Sequence, residues 1–463
     1  LSVSIFDSFL TTPDMIAVFD DAAVVQAMLA FEAALARAQA AQGLIPARAA
    51  SAIEGVCKAQ LYDIPALIRA GQRAGSLAIP LVKELQKTVA LYDEDAARHV
   101  HWGSTSQDVI DTALVLVTRE AMQLLDDGLR ELCGHLLRLA EQHLSTPVLA
   151  RTLMQPAQVT SFGFKAAGWL APLVRARSQL RAQAARALQL QLGGAVGTLA
   201  AMGESGAAVA AQVAARLRLR AADAAWHTQR DEWVRLGLEV AVLGGSLGKI
   251  ATDLGLMAQG EVAELAEPSG KGRGGSSAMP HKRNPVSTMI ALAAARRTPQ
   301  HAAALLACMD QQHERGLGNW QAELAEWPQL FLSVHGALRA LNEAFAGLSV
   351  DRERMLQNIR ALHGLVFAEA ASNWLAGAIG RPKAHAVLED LSRRAGAGQD
   401  LEQLLREAVA ADPQLAAQVD PARIGGLFDA VAATEPARRL ADAQLHRLRQ
   451  DMAALDATHP FQD

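Results

Sequence analysis

The sequence predicts an all-α protein built around a bundle of long helices, and three observations carry that reading. Aromatic residues make up only 4% of the 463 positions and alanine is abundant, a composition that favours close-packed helices over sheets. Leu236, Val240, Leu243, Leu247, Ile250, Leu254 and Met257 recur at alternating steps of four and three, the heptad seam of helices packed nearly parallel. Ile110, Leu114, Val117, Ala121, Leu125, Leu132, Leu136 and Leu139 mark a second long amphipathic segment. A helix of about 35 residues is about 52 Å long. Several of that length exceed one compact subunit, so the bundle is expected to continue between subunits. Gly237, Gly244, Gly245, Gly248 and Gly255 interrupt the seam segment. Each costs up to about 1 kcal/mol of helix propensity against alanine, which is expected where neighbouring backbones pack closely.

In chain order, three helical domains are expected, over 1–110, 111–350 and 351–463. In the first, Asp20-Asp21 caps a helix whose Val24, Met28, Phe31 and Leu35 share a face, and Gly43 and Pro46 end it. Gly75 to Pro80 breaks the pattern before a helix to about Tyr92. His101-Trp102-Gly103-Ser104-Thr105-Ser106-Gln107-Asp108 precedes the long amphipathic segment. Thr105 or Ser106 suits the N-cap and Asp108 the positive end of the helix dipole. The same hydroxyls and free N–H groups make an anion site, and the residues alone leave the two readings even. Val286 to about Leu305 reads as one helix. The third domain is more broken, through Gly380-Arg381-Pro382 and Gly396-Ala397-Gly398.

Composition excludes several classes. A net charge of −4 with 51% hydrophobic residues is globular and offers no electrostatic footprint for nucleic acid. Cys57, Cys133 and Cys308 are odd in number and widely spaced, so core thiols of a reduced, cytoplasmic compartment are expected. Leu1 to Leu10 carries Asp7 and no basic segment before an apolar run, so no secretory signal is expected. No uncharged apolar run reaches eighteen residues, so no membrane span is expected. No H-E-x-x-H or C-x-x-C is present, and neither a metal nor any other cofactor is expected.

The chemistry gathers in Gly270 to Pro285, G-K-G-R-G-G-S-S-A-M-P-H-K-R-N-P. Four glycines in six residues make a loop rather than a helix or strand. It delivers Ser276 and Ser277 beside Lys282 and Asn284, and Pro285 opens the next helix. Hydroxyls carried next to a fixed positive charge suit chemistry on an anionic substrate.

The order Ser-Ser-x-Met-Pro-x-Lys-x-Asn-Pro resembles the signature loop of the fumarase/aspartase superfamily, whose members run β-eliminations or their reverse on carboxylates. Gly103-x-Thr105-Ser106-x-Asp108 resembles that family's first substrate-binding segment and moves the balance toward an anion site including Ser104 and Gln107. Arg151-Thr152-Leu153-Met154-Gln155 resembles the second segment, which in most of the lyases carries a histidine where this chain has Leu153. Leucine carries no proton. Adenylosuccinate lyases also have a His-Asp pair near the position of Gly75 to Pro80, where this chain has no histidine. Gly75 to Lys83, His101 to Asp108, and Gly316-Leu317-Gly318-x-Trp320-Gln321-Ala322-Glu323 after His313-Glu314-Arg315 resemble the branch that closes lactones on substituted muconates. The resemblance runs from Phe6 to about Gly347 and is weak beyond.

It implies a homotetramer with a twenty-helix core, active sites shared between subunits, and a small polycarboxylate substrate. It also implies roles. Ser276 carries the proton, with Ser277 as the fallback. Lys282 and Asn284, with Thr105 and Ser106, stabilise the doubly charged aci-carboxylate. Arg315, Arg151 and Gln155, with Thr152, hold the remaining carboxylates. A carboxylate and a sulfonate at the 3-position meet these demands equally. An adenylosuccinate-lyase-like activity and a non-enzymatic structural role, the latter tolerant of losing Ser276, Lys282 or Asn284, are the competing readings.

Overall fold

A computed structural model of the chain describes residues 4–270, 274–275, 279 and 282–461. Ser276, Ser277 and His281 lie outside the described residues.

Helices α1 (Asp21–Ala41), α2 (Ile64–Ala74) and α3 (Ala78–Ala90) precede the bundle. Asp20 caps α1 as expected, its carboxylate accepting from Ala23 N. The bundle begins with α4 (Ser106–Gln142), whose 37 residues rise about 55 Å. A hairpin of β1 (Pro147–Thr152) and β2 (Gln155–Ser161) then turns the chain into α5 (Phe162–Ala187). Helix α6 (Asp231–Ala258) carries the heptad seam, and every seam residue from Leu236 to Met257 is buried. After the short strand β3 (Leu265–Ala266) and the signature loop come α7 (Val286–Ala295), α8 (Thr298–Ala307) and α9 (Asn319–Phe345). Strand β4 (Ser349–Val350) pairs with β3.

Side-chain pairs give each helix its direction. Asp111 meets Trp320 and Thr118 meets Trp327, so α4 and α9 run parallel. Arg230 at the N-cap of α6 reaches Glu323, and Trp233 stacks on Trp327 with ring centroids 3.8 Å apart, so α6 points the same way. Helix α5 runs opposite to α4, with Arg177 bridging back to Asp126. Helices α7 and α8 run opposite to α6. A Cβ on Gly244 would come within 2.7 Å of the Thr298 side chain, so the helices pack tightly there, whereas a Cβ on Gly245 would meet open space. The N-termini of α4, α6 and α9 therefore gather at one end of the bundle. The hairpin and the signature loop lie at the other.

The structure corrects one expectation and adds detail to two other readings. The Arg151 to Gln155 segment forms a β-hairpin, with Thr152 opposite Gln155. The helix expected from Val286 to Leu305 is two, broken at Arg296-Arg297 just before Pro299, which occupies the first turn of α8 and has no N–H to continue α7. Helix α6 is long and apolar enough to cross a membrane by composition, but its apolar seam is spent on the bundle core.

Residues from Ala371 to Ile424 form a core of their own, centred on Leu375, Leu388, Leu404 and Leu405. The last helix, α10 (Glu435–Asp456), returns to the main core through Leu445, Leu448 and Met452.

Candidate active site

At the gathered N-termini, the chain before α4 is fixed by a single buried carboxylate. Asp108, fully buried, accepts from Thr105 N (3.0 Å), Gly193 N (3.0 Å) and Gly194 N (2.9 Å), and lies 2.7 Å from His227 Nε2. The Thr105 contact is the reciprocal half of a capping box. Gly194 has φ +71°, and a Cβ there would sit 2.9 Å from the Gly103 carbonyl oxygen, so only glycine lets the two loops meet. Ser104, Thr105 and Ser106 are half-buried around this anchor. Arg315 donates from Nη2 to Thr105 Oγ1, which joins two segments 210 residues apart. Its Nε finds no partner among the described residues.

One turn further on lies a second buried carboxylate. Asp111 accepts from Gln107 Nε2 (3.2 Å), Gln191 Nε2 (3.2 Å), Trp320 Nε1 (2.9 Å) and both terminal nitrogens of Arg230 (2.7 and 3.2 Å). Arg230 also pairs with Glu323, and all three charged side chains have no exposure. Burial opposes the Arg230 charge, but the two carboxylates outweigh it and hold its pKa above the ordinary value. Burial likewise raises the Glu323 pKa, with Arg230 pulling it back. Removing one partner of such a group leaves an uncompensated buried charge.

At the opposite end, Asn284 N donates to Gly274 O (2.8 Å), and Gly275 pairs with Arg283 across the loop stem. Glu267 holds the stem to α7, accepting from Ser287 N (2.9 Å), Thr288 N (2.7 Å) and Thr288 Oγ1 (2.6 Å). A cavity of about 350 Å³ is lined by Lys282, Asn284, Gly274 and Gly275 together with Ser269 and Glu267. Beside it stands the hairpin, whose tip residues Leu153 and Met154 are 96% and 70% exposed. Both have positive φ, 49° and 66°. Thr152 and Gln155 flank them, exposed.

Two expected ligands are engaged elsewhere. Arg151 forks onto buried Glu264 at 2.8 and 3.2 Å, so its charge is matched within the chain. Gln107 is 1% exposed, with its amide nitrogen donating to Asp111 and to His227 O. Glu264 is further held by Asn358 at 2.9 Å.

Within one chain, then, Thr105, Ser106 and Arg315 come together at one end, while Lys282 and Asn284 share a cavity toward the other, the end that also carries Thr152 and Gln155, the length of a long helix away. A larger cavity, about 470 Å³, lies among α1, α2, α4 and α9, lined by Phe19, Met28, Leu114 and Leu324. No lysine or arginine lines it, so it does not suit a polycarboxylate. No group of three or more His, Cys, Asp or Glu placed to hold a metal ion is found among the described residues.

A sequence profile of the lyase family matches residues 9–298. The chain belongs to that family, within the fumarase/aspartase superfamily. It is 48% identical over 442 residues to 3-carboxy-cis,cis-muconate cycloisomerase of Bradyrhizobium diazoefficiens, covering 96% of this chain and 97% of that one. It is 45% identical over 425 residues to the enzyme of the same name from Pseudomonas aeruginosa, 92% of each chain. Among solved structures, the 3-carboxy-cis,cis-muconate lactonizing enzyme of Pseudomonas putida superposes with a TM-score of 0.90 at 40% identity, covering 98% of this chain and 99% of that one.

Proposed function

We propose that the protein is a 3-carboxy-cis,cis-muconate cycloisomerase that works without a cofactor as a cytoplasmic homotetramer. The observation that carries this reading is the end-to-end similarity, at 48% identity, to a chain of that name. The site chemistry agrees with it. One substrate carboxylate oxygen adds across a C=C bond and closes a five-membered lactone. The electron pair moves to the carbon α to a second carboxylate, as an aci-carboxylate, and that carbon takes a proton. Lys282 and Asn284 supply charge and a hydrogen bond to the aci-carboxylate. Ser276 delivers the proton, Ser277 being the fallback, and it is reprotonated from water. A serine is a poor acid–base group unless cations and dipoles around it perturb it. Thr105, Ser106 and Arg315 hold another carboxylate at the helix N-terminus. Ring closure needs no leaving-group acid, because the nucleophile arrives ionised and orientation supplies much of the rate. Leu153, a hydrocarbon at the hairpin tip, is consistent with that.

The separation of the two clusters supports shared sites. Each cluster holds part of the machinery, and single exposed apolar side chains on α6 and α7 (Val242, Leu256 and Met289, at 62%, 36% and 57%) leave that face open to a neighbouring subunit. Arg151 and Gln107 are assigned to holding the site rather than to touching substrate.

The test is a spectrophotometric panel of 3-carboxy-cis,cis-muconate, 3-sulfomuconate and adenylosuccinate with one preparation. Turnover of the carboxymuconate is expected to exceed the others. Preference for the sulfonate, or efficient adenylosuccinate cleavage, overturns the reading.

A further inference from the structure

Trp320 and Trp327 lie seven residues apart on α9, and each indole donates to α4. Trp320 Nε1 reaches Asp111 Oδ1 at 2.9 Å, and Trp327 Nε1 reaches Thr118 Oγ1 at 2.9 Å. Asp111 and Thr118 are also seven apart, so the two bonds are rungs of one ladder between parallel helices. All four residues are buried. Apolar ridges between helices tolerate small axial slides, whereas an N–H···O bond is directional. The rungs therefore fix how far α4 and α9 extend past one another.

The rungs differ in what lies beyond them. Thr118 is a hydroxyl deep in the bundle. Asp111 is the carboxylate that also gathers Arg230, Gln107 and Gln191. Arg315 precedes Trp320 by five residues, Thr105 precedes Asp111 by six, and the Arg315–Thr105 contact closes over the rung. A slip of one residue along either helix displaces its end by about 1.5 Å, enough to carry Arg315 off Thr105.

We infer that Trp320 is a positioning residue for the anion-binding end of the site: its bond to Asp111 sets the axial register that brings Arg315 to Thr105. The inference rests on the functional reading above.

Trp320→Phe removes the donor and keeps a ring, and Trp327→Phe does the same one heptad deeper. The assembled full-length protein is titrated with tricarballylate, a saturated tricarboxylate that cannot cyclise, and assayed with 3-carboxymuconate. Trp320→Phe is expected to weaken tricarballylate binding and raise KM by roughly tenfold each, since a displacement near 1 Å suffices for losses of that order. Trp327→Phe is expected to leave both within about twofold at a comparable loss of thermal stability. Equal effects on affinity overturn the inference. If Trp320→Phe does not assemble, Trp320→Gln, whose amide can donate to Asp111, is compared with Trp320→Leu. Better retention of tricarballylate by the glutamine supports the inference, and equal loss overturns it. Absence of muconate turnover in the unaltered protein refutes the functional reading instead, and the binding comparison still tests the register.

Discussion

Ser276 and Ser277, in the same sequence motif as Lys282, pose the sharpest question at the scale of single residues. Replacing Ser276 by alanine is expected to cut turnover by about 10² to 10⁴, the range for losing a general acid–base group, with assembly and tricarballylate binding retained. Ser277→Ala is expected to cost less. Steady-state kinetics on both variants decide the order, and the reverse order moves the proton to Ser277. A second residue-scale outcome concerns pH. His101 Nδ1 lies 2.5 Å from Glu32 Oε1, and Glu32 is 1% exposed. Burial alone lowers the His101 pKa, but the Glu32 and Asp108 charges outweigh it and leave a net rise above 6.5. A raised folded value means the stabilisation is fully present below 6.5 and fades as pH climbs through the folded pKa. Urea unfolding of the unaltered protein and Glu32→Gln is expected to differ most on the acid side of that value, and a gap that widens with pH contradicts the pairing. Thr105, Lys282, Asn284 and Arg315 were legible because local motifs carry them. Asp111, Arg230 and Glu323 were not, since the ion pairs that join them span 93 and 119 residues. The one local signal was a second aspartate three residues after Asp108, at the start of an amphipathic helix.

Elements were readable wherever periodicity and capping agreed. The Asp20 cap, the start of α4 at Ser106 and the buried seam of α6 all follow from spacing. The hairpin escaped because Leu153-Met154 carries none of the Asn or Gly that marks a two-residue turn with positive φ. That mismatch has a consequence. Left-handed backbone costs roughly 1–2 kcal/mol for an ordinary residue, so Leu153→Asn with Met154→Gly is expected to raise stability by about 1–2 kcal/mol in chemical denaturation. If the exposed apolar tip also serves the muconate skeleton or a neighbouring subunit, the same variant loses activity while gaining stability. Unchanged or lower stability contradicts the strain argument.

Across the whole molecule, the bundle keeps the Arg315 and Lys282 clusters at opposite ends. The fold class was legible because long seams have few alternatives to a helical bundle, whereas which ends meet depends on helix direction, which the seams do not encode. Turnover is expected to withstand exhaustive chelation, assayed before and after treatment; loss restored by a divalent ion contradicts a cofactor-free mechanism. A competent site is expected to take its Arg315 end and its Lys282 end from different chains. The direct measurement is complementation: Arg315→Ala and Lys282→Ala chains, each inactive alone, are co-assembled in equal amounts and assayed with 3-carboxy-cis,cis-muconate. Random mixing leaves about a quarter of the sites with both ends intact in a symmetric oligomer, so recovery of about a quarter of the unaltered activity is expected. No recovery from mixed oligomers, or full activity in a monomer, contradicts a shared site.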